Sequence, residues 1–298
     1  MIDPTRTVPA SAIVLTGGKS SRMGQPKALL PFDGEPLIAH TVRLLQTTFA
    51  DIVVVTAPDQ ELPPLPVMVT RDEVAYQGPV GGIFYGLQVA REELCFVTSC
   101  DAPFLNLALI SHLLVLASEY DVVVPYWQDR LQPLHAVYRR SVAPLLQEQL
   151  KRGELRPIFL YKKVRTREVR EDESRHFDPE GLSFRNMNKP EDYQEALLLW
   201  QAHRRGVECT IELFGVARLK AKTDRLSLSL PPNAMLPDAL TALANACPTL
   251  LGSVIATDHR TLLPGYACNR NGVEFIRATD MAIKQGDHLL ILSSDAGG

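Results

Sequence analysis

The chain has 298 residues, which is more than one small domain needs and predicts two compact domains. Hydrophobic residues make up 46% of it and charged residues 22%, which are proportions of soluble globular proteins and exclude a disordered or fibrous chain. The net charge of −3 comes without a long basic run, so we expect no nucleic acid partner, because binding a phosphate backbone requires many exposed cations.

The cysteines and the first residues indicate the compartment. Five scattered cysteines, an odd number without a Cys-x-x-Cys pair, fit neither a disulfide framework nor a zinc site. Residues 1–11 are not followed by the apolar run of a signal peptide, and no apolar stretch reaches the length of a membrane span. We therefore expect a cytoplasmic protein with no membrane partner.

The first two thirds of the chain alternate between short apolar runs and segments with helical spacing. Strands are predicted at 11–16, 52–55, 67–69, 94–98 and 121–125, and helices at 36–49, 81–91, 107–118, 142–150 and 191–203. Such alternation is typical of an α/β fold with a Rossmann-like, mostly parallel sheet that is covered by helices on both faces. Between 139 and 175 the charge density rises and the period weakens.

The last ninety residues have a different pattern. Strands are predicted at 209–214, 225–230, 266–269, 274–277 and 288–292, and a helix at 237–246. Several strands with one helix predict a small α+β domain. We expect a first domain at 1–203, a linker at 204–207 and a second domain at 208–298.

A glycine-rich segment follows the first predicted strand and leads to Lys27. Gly17 and Gly18 let backbone amides approach a ligand closely, and a run of such amides forms a concavity suited to phosphate oxygens. Arg22 and Lys27 would add positive charge. The segment is neither a Walker loop nor the dinucleotide-binding fingerprint, and two glycines alone would be explained as a tight turn.

The residues from Leu15 to Leu30 resemble the signature of the MobA-like nucleotidyltransferase family, which includes the molybdenum cofactor guanylyltransferases. That signature is Leu-x-Gly-Gly-x-Ser-x-Arg-Met-Gly, followed by a lysine and Leu-Leu. The resemblance implies transfer of GMP from GTP to molybdopterin carrying molybdenum, with release of pyrophosphate. It implies that Arg22 and Lys27 act in catalysis by balancing the triphosphate charge. The nucleotide-binding residues that it implies here are Leu15, Thr16, Gly17, Gly18 and Lys27.

Asp101 follows the strand predicted at 94–98, in the segment Ser99-Cys100-Asp101-Ala102-Pro103-Phe104. Ligands gather outside the carboxyl ends of strands in open α/β sheets, and Mg²⁺ prefers one or two carboxylates together with phosphate oxygens and water. A helix cap is the alternative role for such an aspartate. The family carries Cys-Asp-x-Pro-Phe here, which implies that Asp101 holds Mg²⁺, contacts the nucleotide and acts in catalysis.

Two polar residues are candidates for contacts to the nucleotide. The family has an acidic residue just ahead of a Gly-Pro-x-x-Gly segment, which corresponds here to 78–82, and Asp72 and Glu73 compete for that role. Either residue could instead be an ordinary exposed charge in a loop. Thr56, at the end of the strand predicted at 52–55, lies where the family often has a polar residue that contacts the base, although a plain strand end also explains it.

Two further residues lie in segments that resemble the family. Asn188 belongs to Asn186-Met187-Asn188-Lys189-Pro190-Glu191-Asp192, similar to the motif that closes the family's domain, and is a candidate for the metal or the pterin. Asparagine before a helix that starts with proline is also a normal cap. We interpret His135, in a strand resembling one near the second substrate, as a hydrogen-bonded structural histidine rather than a catalytic one.

The second domain resembles, over 208–298, the sulfur-carrier subunit of molybdopterin synthase, a MoaD-like protein with the ubiquitin-like β-grasp fold. Matching segments are Ile211-Glu212-Leu213-Phe214-Gly215, Ala267-Cys268-Asn269-Arg270-Asn271-Gly272 and Ile283-Lys284-Gln285-Gly286-Asp287. The final Gly297-Gly298 supports the resemblance. It implies a thiocarboxylate on Gly298, with an E1-like adenylyltransferase and the large subunit of molybdopterin synthase as partners. Residues 293–296 differ from the prolines and valine usual in the family.

The residues leave three alternatives open. Gly17-Gly18 resembles the guanylyl form of the family, but Gln25-Pro26-Lys27 resembles the cytidylyl form, which uses CTP. A sulfur carrier fused to an inactive transferase domain is a second possibility, against which the intact Lys27 and Asp101 argue. Nucleotidyl transfer to a sugar phosphate is the third, and it would leave the second domain without a role.

Overall fold

A computed structural model describes residues 9–16, 26–72, 78–204, 206–277 and 282–293 of the chain. The chain divides into two compact units, Met1–Leu197 and Leu198–Gly298, each described below by itself. No helix in the described ranges is both long and apolar enough to cross a membrane.

The first unit follows the alternation expected from the sequence. Its elements are β1 (Ala10–Leu15), β2 (Pro31–Phe32), β3 (Glu35–Pro36), α1 (Leu37–Leu45), β4 (Asp51–Thr56), β5 (Met68–Arg71), α2 (Gly78–Val89), β6 (Leu94–Ser99), α3 (Leu107–Leu116), β7 (Val122–Trp127), β8 (Arg130–Leu131), β9 (His135–Arg139), α4 (Ala143–Lys151), α5 (Ile158–Tyr161), β10 (Thr166–Val169) and α6 (Glu171–Arg175). Helix α7 (Pro190–Arg204) follows, and the division between the units falls within it.

The main sheet has the strand order β10-β7-β9-β6-β1-β4-β5, with β8 paired to β7. Strand β9 is antiparallel to β6 and β7, and β8 is antiparallel to β7, whereas the other pairs are parallel. Strands β2 and β3 form a separate hairpin. The predicted Rossmann-like, mostly parallel sheet is therefore confirmed.

Helices cover both faces of this sheet, which explains its continuous apolar strands. Strand β1 is buried along its whole length, as expected for a parallel strand with helices on both sides. One face packs against α1 and α3 in a core that includes Val14, Ile38 and Leu109. The other face packs against α2 and α4 in a core that includes Ile13 and Leu146.

The region 139–175, which has a weak sequence period, contains an edge strand that was not predicted. Strand β10 has four residues and pairs with β7 alone. Only Val169 within it is buried, because one side of an edge strand faces solvent. Such a strand lacks the apolar run or the clean alternation by which strands are recognised in a sequence.

The second unit forms a five-stranded sheet with the order β12-β11-β15-β13-β14. Its elements are β11 (Val207–Leu213), α8 (Gly215–Ala221), β12 (Arg225–Leu230), α9 (Leu236–Ala246), β13 (Tyr266–Arg270), β14 (Glu274–Ile276) and β15 (His288–Ser293). The central pair β11 and β15 is parallel, and the other pairs are antiparallel. Leu240 and Leu243 of α9 pack in one core with Ile211 and Leu289 of the sheet. This arrangement is the predicted β-grasp fold.

Helix α8 was not predicted, since only Ala217 within it is buried. A single buried residue leaves no helical period in the sequence.

Candidate nucleotide and metal site

Four of the candidate residues lie at the same edge of the main sheet. Asp101, Thr16, Thr56 and Asp72 stand at or just after the carboxyl ends of β6, β1, β4 and β5, which are neighbours in this order and run parallel. Neighbouring strands lie about 4.8 Å apart, so Asp101 and Asp72 are separated by roughly 14 Å. An elongated ligand could extend from one to the other.

The chain changes direction in the sheet at this edge. It passes from β1 to β4 and β5 on one side of β1 and returns to β6 on the other side. Ligands of open α/β proteins bind at such switch points. Gly17, Gly18, Arg22 and Glu73, which belong to the predicted site, lie outside the described residues.

One lysine joins two of the predicted metal ligands. The Nζ atom of Lys27 lies 2.6 Å from Oδ2 of Asp101 and 2.9 Å from Oδ1 of Asn188. The side chains of Lys27 and Asp101 are 18% and 17% exposed, so the ion pair is largely but not fully shielded from water. These residues are 74 and 161 positions apart in the sequence. Two oxygen atoms therefore converge on a single cationic group.

The Asp101 carboxylate points to this cluster rather than to a helix end. Its Oδ1 atom accepts a hydrogen bond from Ser99 Oγ at 2.5 Å. Helix α3 is capped instead by Asn106, whose Oδ1 accepts the backbone N–H of Leu109 at 2.9 Å. The helix-cap role, which was the alternative for Asp101, belongs to Asn106. Ser99 is a partner that the sequence did not single out.

The segment that carries Asn188 is held from both ends. The backbone N–H of Met187 donates to the carbonyl oxygen of Asp101 at 3.0 Å. Oδ2 of Asp192 accepts the backbone N–H groups of Asn188 at 2.8 Å and Lys189 at 2.9 Å. The hydrogen bond from Asn188 is the main reason that the pKa of Asp192 is lowered. Asp192, which lies in the first turn of α7, thus positions Asn188.

At the other end of the edge, two polar atoms have no partner in the part of the chain that the structure describes. The Thr56 hydroxyl and Oδ1 of Asp72 are buried and have no hydrogen-bond partner among the described residues. Their backbones are joined, since the N–H of Asp72 donates to the carbonyl of Thr56 at 2.9 Å. Buried polar groups are normally hydrogen-bonded, and unpaired ones suggest a missing partner or a functional role. Thr56 Oγ1 and Asp72 Oδ1 thus need a partner that the described residues do not supply.

The end of β1 is held by hydrogen bonds and by packing. The Thr16 hydroxyl donates to Oε1 of Gln60 at 3.2 Å, a neighbour that the sequence did not single out. The Leu15 side chain lies in the core shared with α2. A Cβ atom at Gly82 would lie 3.0 Å from it. Gly82 thus lets α2, which begins at Gly78, approach β1 closely.

A family profile described as the MobA-like NTP transferase domain matches residues 12–167, which is just over half of the chain. The chain belongs to the MobA-like NTP transferase family. The predicted enzyme class, a nucleotidyltransferase, is thereby confirmed. The molybdenum cofactor guanylyltransferase of Syntrophotalea carbinolica is 31% identical over 187 residues, covering 62% of this chain and 89% of that protein.

Solved structures are similar to parts of this MobA-like transferase. Molybdopterin-guanine dinucleotide biosynthesis protein A from Archaeoglobus fulgidus superposes with a TM-score of 0.56 and 24% identity, covering 64% of this chain and 99% of that one. At this identity the similarity supports the fold alone. The small archaeal modifier protein 1 of Haloferax volcanii matches 29% of this chain and 95% of its own, with 28% identity and a TM-score of 0.27.

His135 of this MobA-like transferase lacks, among the described residues, the hydrogen bonds expected of it. Its ring packs edge-on against Phe96 and Phe184, with centroid distances of 5.0 and 5.1 Å. Neither ring nitrogen has a hydrogen-bond partner in the part of the chain that the structure describes. Burial lowers the pKa of His135 to about 3, so the ring is neutral near pH 7. The expectation of a hydrogen-bonded histidine was wrong because aromatic rings surround it.

Burial at Asp72 predicts a pH dependence of stability. It raises the pKa of this carboxyl from 3.8 to about 6. Between these values the folded protein binds more protons than the unfolded chain, so stability decreases as the pH rises from about 4 to about 6. Asp72→Asn removes this contribution. The variant should therefore gain stability relative to the parent protein at about pH 7 and gain little at about pH 4.

Urea unfolding of the ligand-free protein across this pH range measures the effect. Asp59→Asn is the control, since Asp59 is an exposed carboxyl between the same strands, β4 and β5. Parallel pH profiles for Asp72→Asn and the parent protein would contradict the raised pKa.

Proposed function

We propose that the first unit transfers GMP from GTP to molybdopterin carrying molybdenum, which forms molybdopterin guanine dinucleotide and releases pyrophosphate. The convergence of Lys27, Asp101 and Asn188 at the switch point carries this proposal. The similarity to a protein named molybdenum cofactor guanylyltransferase, over 89% of its length, supports the choice of substrates.

The oxygen atoms at this point fit Mg²⁺. Asp101 Oδ2 and Asn188 Oδ1 already lie around one cationic atom, and carboxylate and amide oxygens are the ligands that hard divalent cations prefer. Among the described residues, no group of three or more His, Cys, Asp or Glu side chains could hold a metal ion. Phosphate oxygens and water would therefore complete the coordination, and bound Mg²⁺ would neutralise charge on the triphosphate.

The reaction needs little covalent participation by the protein. A phosphate oxygen of molybdopterin attacks the α-phosphorus of GTP while the bond to the β-phosphate oxygen breaks, so that pyrophosphate leaves. Such transfers depend mainly on positioning and on stabilisation of developing charge. Lys27, together with Arg22, would balance the charge of the phosphates. Asp192 and Ser99 hold Asn188 and Asp101 in place.

Two polar atoms at the other end of this sheet edge support guanine as the base. The guanine edge presents two adjacent N–H donor groups, which an ionised carboxylate can accept together, whereas the cytosine edge presents one amino donor. Oδ1 of the Asp72 carboxylate and the Thr56 hydroxyl oxygen are acceptor atoms that have no partner among the described residues. We therefore propose that both contact the base, with Thr16 and the backbone of 15–18 near the sugar.

Pyrophosphate release with GTP and CTP, measured side by side with molybdenum-loaded molybdopterin as acceptor, tests this function. We expect faster release with GTP. A clear preference for CTP would make the enzyme a cytidylyltransferase and remove the guanylyl assignment. Release with a sugar phosphate, but not with molybdopterin, would change the acceptor class. If no combination of nucleotide and acceptor releases pyrophosphate, a sulfur carrier with an inactive transferase domain would be favoured.

We propose that residues 208–298 act as a sulfur carrier through a thiocarboxylate on Gly298. The β-grasp topology and the segments that resemble the carrier subunit of molybdopterin synthase support this role. Gly297 and Gly298 follow the central strand β15 and lie outside the described residues. The partners would be an E1-like adenylyltransferase and the large subunit of molybdopterin synthase.

A variant without Gly297 and Gly298 tests the carrier role. It should release pyrophosphate at the rate of the parent protein but show no thiocarboxylate, which intact-mass measurement detects as replacement of oxygen by sulfur. Asp295→Asn is a control that changes the same segment and keeps both glycines. Sulfur acceptance by the shortened chain would rule out Gly298 as the acceptor.

A further inference from the structure

The ammonium group of Lys27 contacts an oxygen atom of Asp101 and an oxygen atom of Asn188. Its Nζ atom is 2.6 Å from the carboxylate oxygen and 2.9 Å from the amide oxygen. These are the two oxygens proposed above as ligands of Mg²⁺. The ammonium group and the metal ion cannot occupy one position, and two cations this close in a partly shielded site repel each other strongly.

We propose that Lys27 is an exchangeable substitute for the divalent cation. In the ligand-free protein its ammonium group pairs with Asp101 and Asn188 and excludes the metal. The nucleoside triphosphate attracts the ammonium group away from Asp101 and Asn188 and thereby frees both oxygens. The metal therefore binds only together with the nucleotide. This inference rests on the proposed function, because it requires a metal nucleotide at this site.

The surroundings of Lys27 allow its side chain to move while its backbone stays in place. Lys27 begins a single 3-10 turn, Lys27–Leu29, in which the next residue, Ala28, is fully buried in the core. The N–H of Leu30 donates to the carbonyl of Lys27 at 3.1 Å. The four-carbon stem of lysine is flexible, and its ammonium group is a compact point charge. Exchange therefore requires only a change of side-chain rotamers.

The other hydrogen bonds of Asp101 and Asn188 stay in place when one cation replaces the other. Asp101 keeps its hydrogen bond from Ser99, and Asn188 keeps its backbone hydrogen bond to Asp192. Either cation therefore bridges the end of β6 and the segment before α7. A partly buried carboxylate needs a cationic partner, and the lysine supplies one until the metal arrives.

Mn²⁺ binding to the full chain without nucleotide, followed by electron paramagnetic resonance of the free ion, tests the exchange. Lys27→Met removes the ammonium group and keeps a side chain of similar length. We expect this variant to bind Mn²⁺ on the order of tenfold or more tightly than the parent protein, because a repelling charge is gone. Adding a non-hydrolysable GTP analogue should make the parent protein bind Mn²⁺ as well, measured as loss of the free-ion signal beyond that caused by the same analogue without protein.

Two variants make the result specific. Lys189→Met removes the same charge from the exposed neighbour of Asn188, outside the oxygen pair, and should change Mn²⁺ affinity by less than about twofold. Lys27→Met combined with Asp101→Asn should lose the gained affinity, because the metal loses its carboxylate. Circular dichroism of each variant verifies folding.

The outcomes separate the exchange from the proposed function. If Lys27→Met binds Mn²⁺ no more tightly than the parent protein, or if Lys189→Met gains as much, the exchange is wrong. If the double variant keeps the gain, the metal binds elsewhere and the exchange is again wrong. If the parent protein binds no Mn²⁺ even with the GTP analogue, the metal site of the proposed function itself fails.

Discussion

Replacing Asp101 with asparagine is expected to slow pyrophosphate release from GTP on the order of 10²–10³-fold, which is the size of effect seen when one preorganised electrostatic contact is removed. Asparagine keeps the shape of the side chain and one oxygen, but it loses the charge that pairs with Lys27 and that would hold the metal. The rate should respond to Mg²⁺ only at higher concentrations than in the parent protein.

Two controls test whether the lower rate of Asp101→Asn comes from a disturbed fold instead of from the site. Asp172→Asn makes the same substitution at an exposed residue of α6, whose side chain is 70% exposed, and should leave the rate unchanged. The unfolding midpoint of Asp101→Asn should remain close to that of the parent protein, because the site is at the sheet edge rather than in the core. An Asp101→Asn protein with full activity would remove this residue from the mechanism.

Gly181→Ala is expected to reduce the free energy of unfolding by about 2–5 kcal/mol. The backbone of Gly181 is left-handed, with φ of 65°, and a Cβ atom would lie 2.0 Å from Cζ2 of Trp127. The left-handed conformation costs a residue with a side chain about 1–2 kcal/mol, and overpacking in a dense region costs about 1–3 kcal/mol more. Urea unfolding measures the difference.

Gly153→Ala is the matched control for this prediction. Gly153 has a similar φ of 70°, but nothing lies within 4 Å of its Cβ position. Gly153→Ala should therefore reduce the free energy of unfolding only by the cost of the left-handed backbone, about 1–2 kcal/mol. Equal reductions in the free energy of unfolding for the two variants would show that Trp127 moves aside without loss of stability. Adding Trp127→Leu to Gly181→Ala should give less than the sum of the single effects, because the shorter side chain relieves the clash.

The segment that begins at Gly181 leads to Asn188 of the site. Trp127 packs against Phe184 with ring centroids 5.1 Å apart, and Asp178 accepts the N–H groups of Leu182 at 3.1 Å and Ser183 at 2.8 Å. The same segment continues to Met187, which is bonded to the backbone of Asp101. Displacement at Gly181 should therefore lower transferase activity as well as stability.

Much of the fold was predictable because its signals are local. The buried strands of the first unit are apolar runs, since helices cover both of their faces. The helices α1 and α9 have an apolar face that repeats at helical spacing. Strand β10 and helix α8, which bury one residue each, left no such signal.

The residue types of the site were determined by the sequence, and their meeting was decided by the fold. The segment after β1 and the aspartate after β6 indicated a phosphate and metal site through glycine, lysine and carboxylate chemistry. Only the parallel order β6-β1-β4-β5 places Thr16, Thr56, Asp72 and Asp101 along one edge. The contact of Lys27 with Asn188 spans 161 positions, and the aromatic surroundings of His135 also come from distant elements. Such contacts depend on tertiary packing, because sequence periodicity reports which face of an element is buried but not which residues meet there.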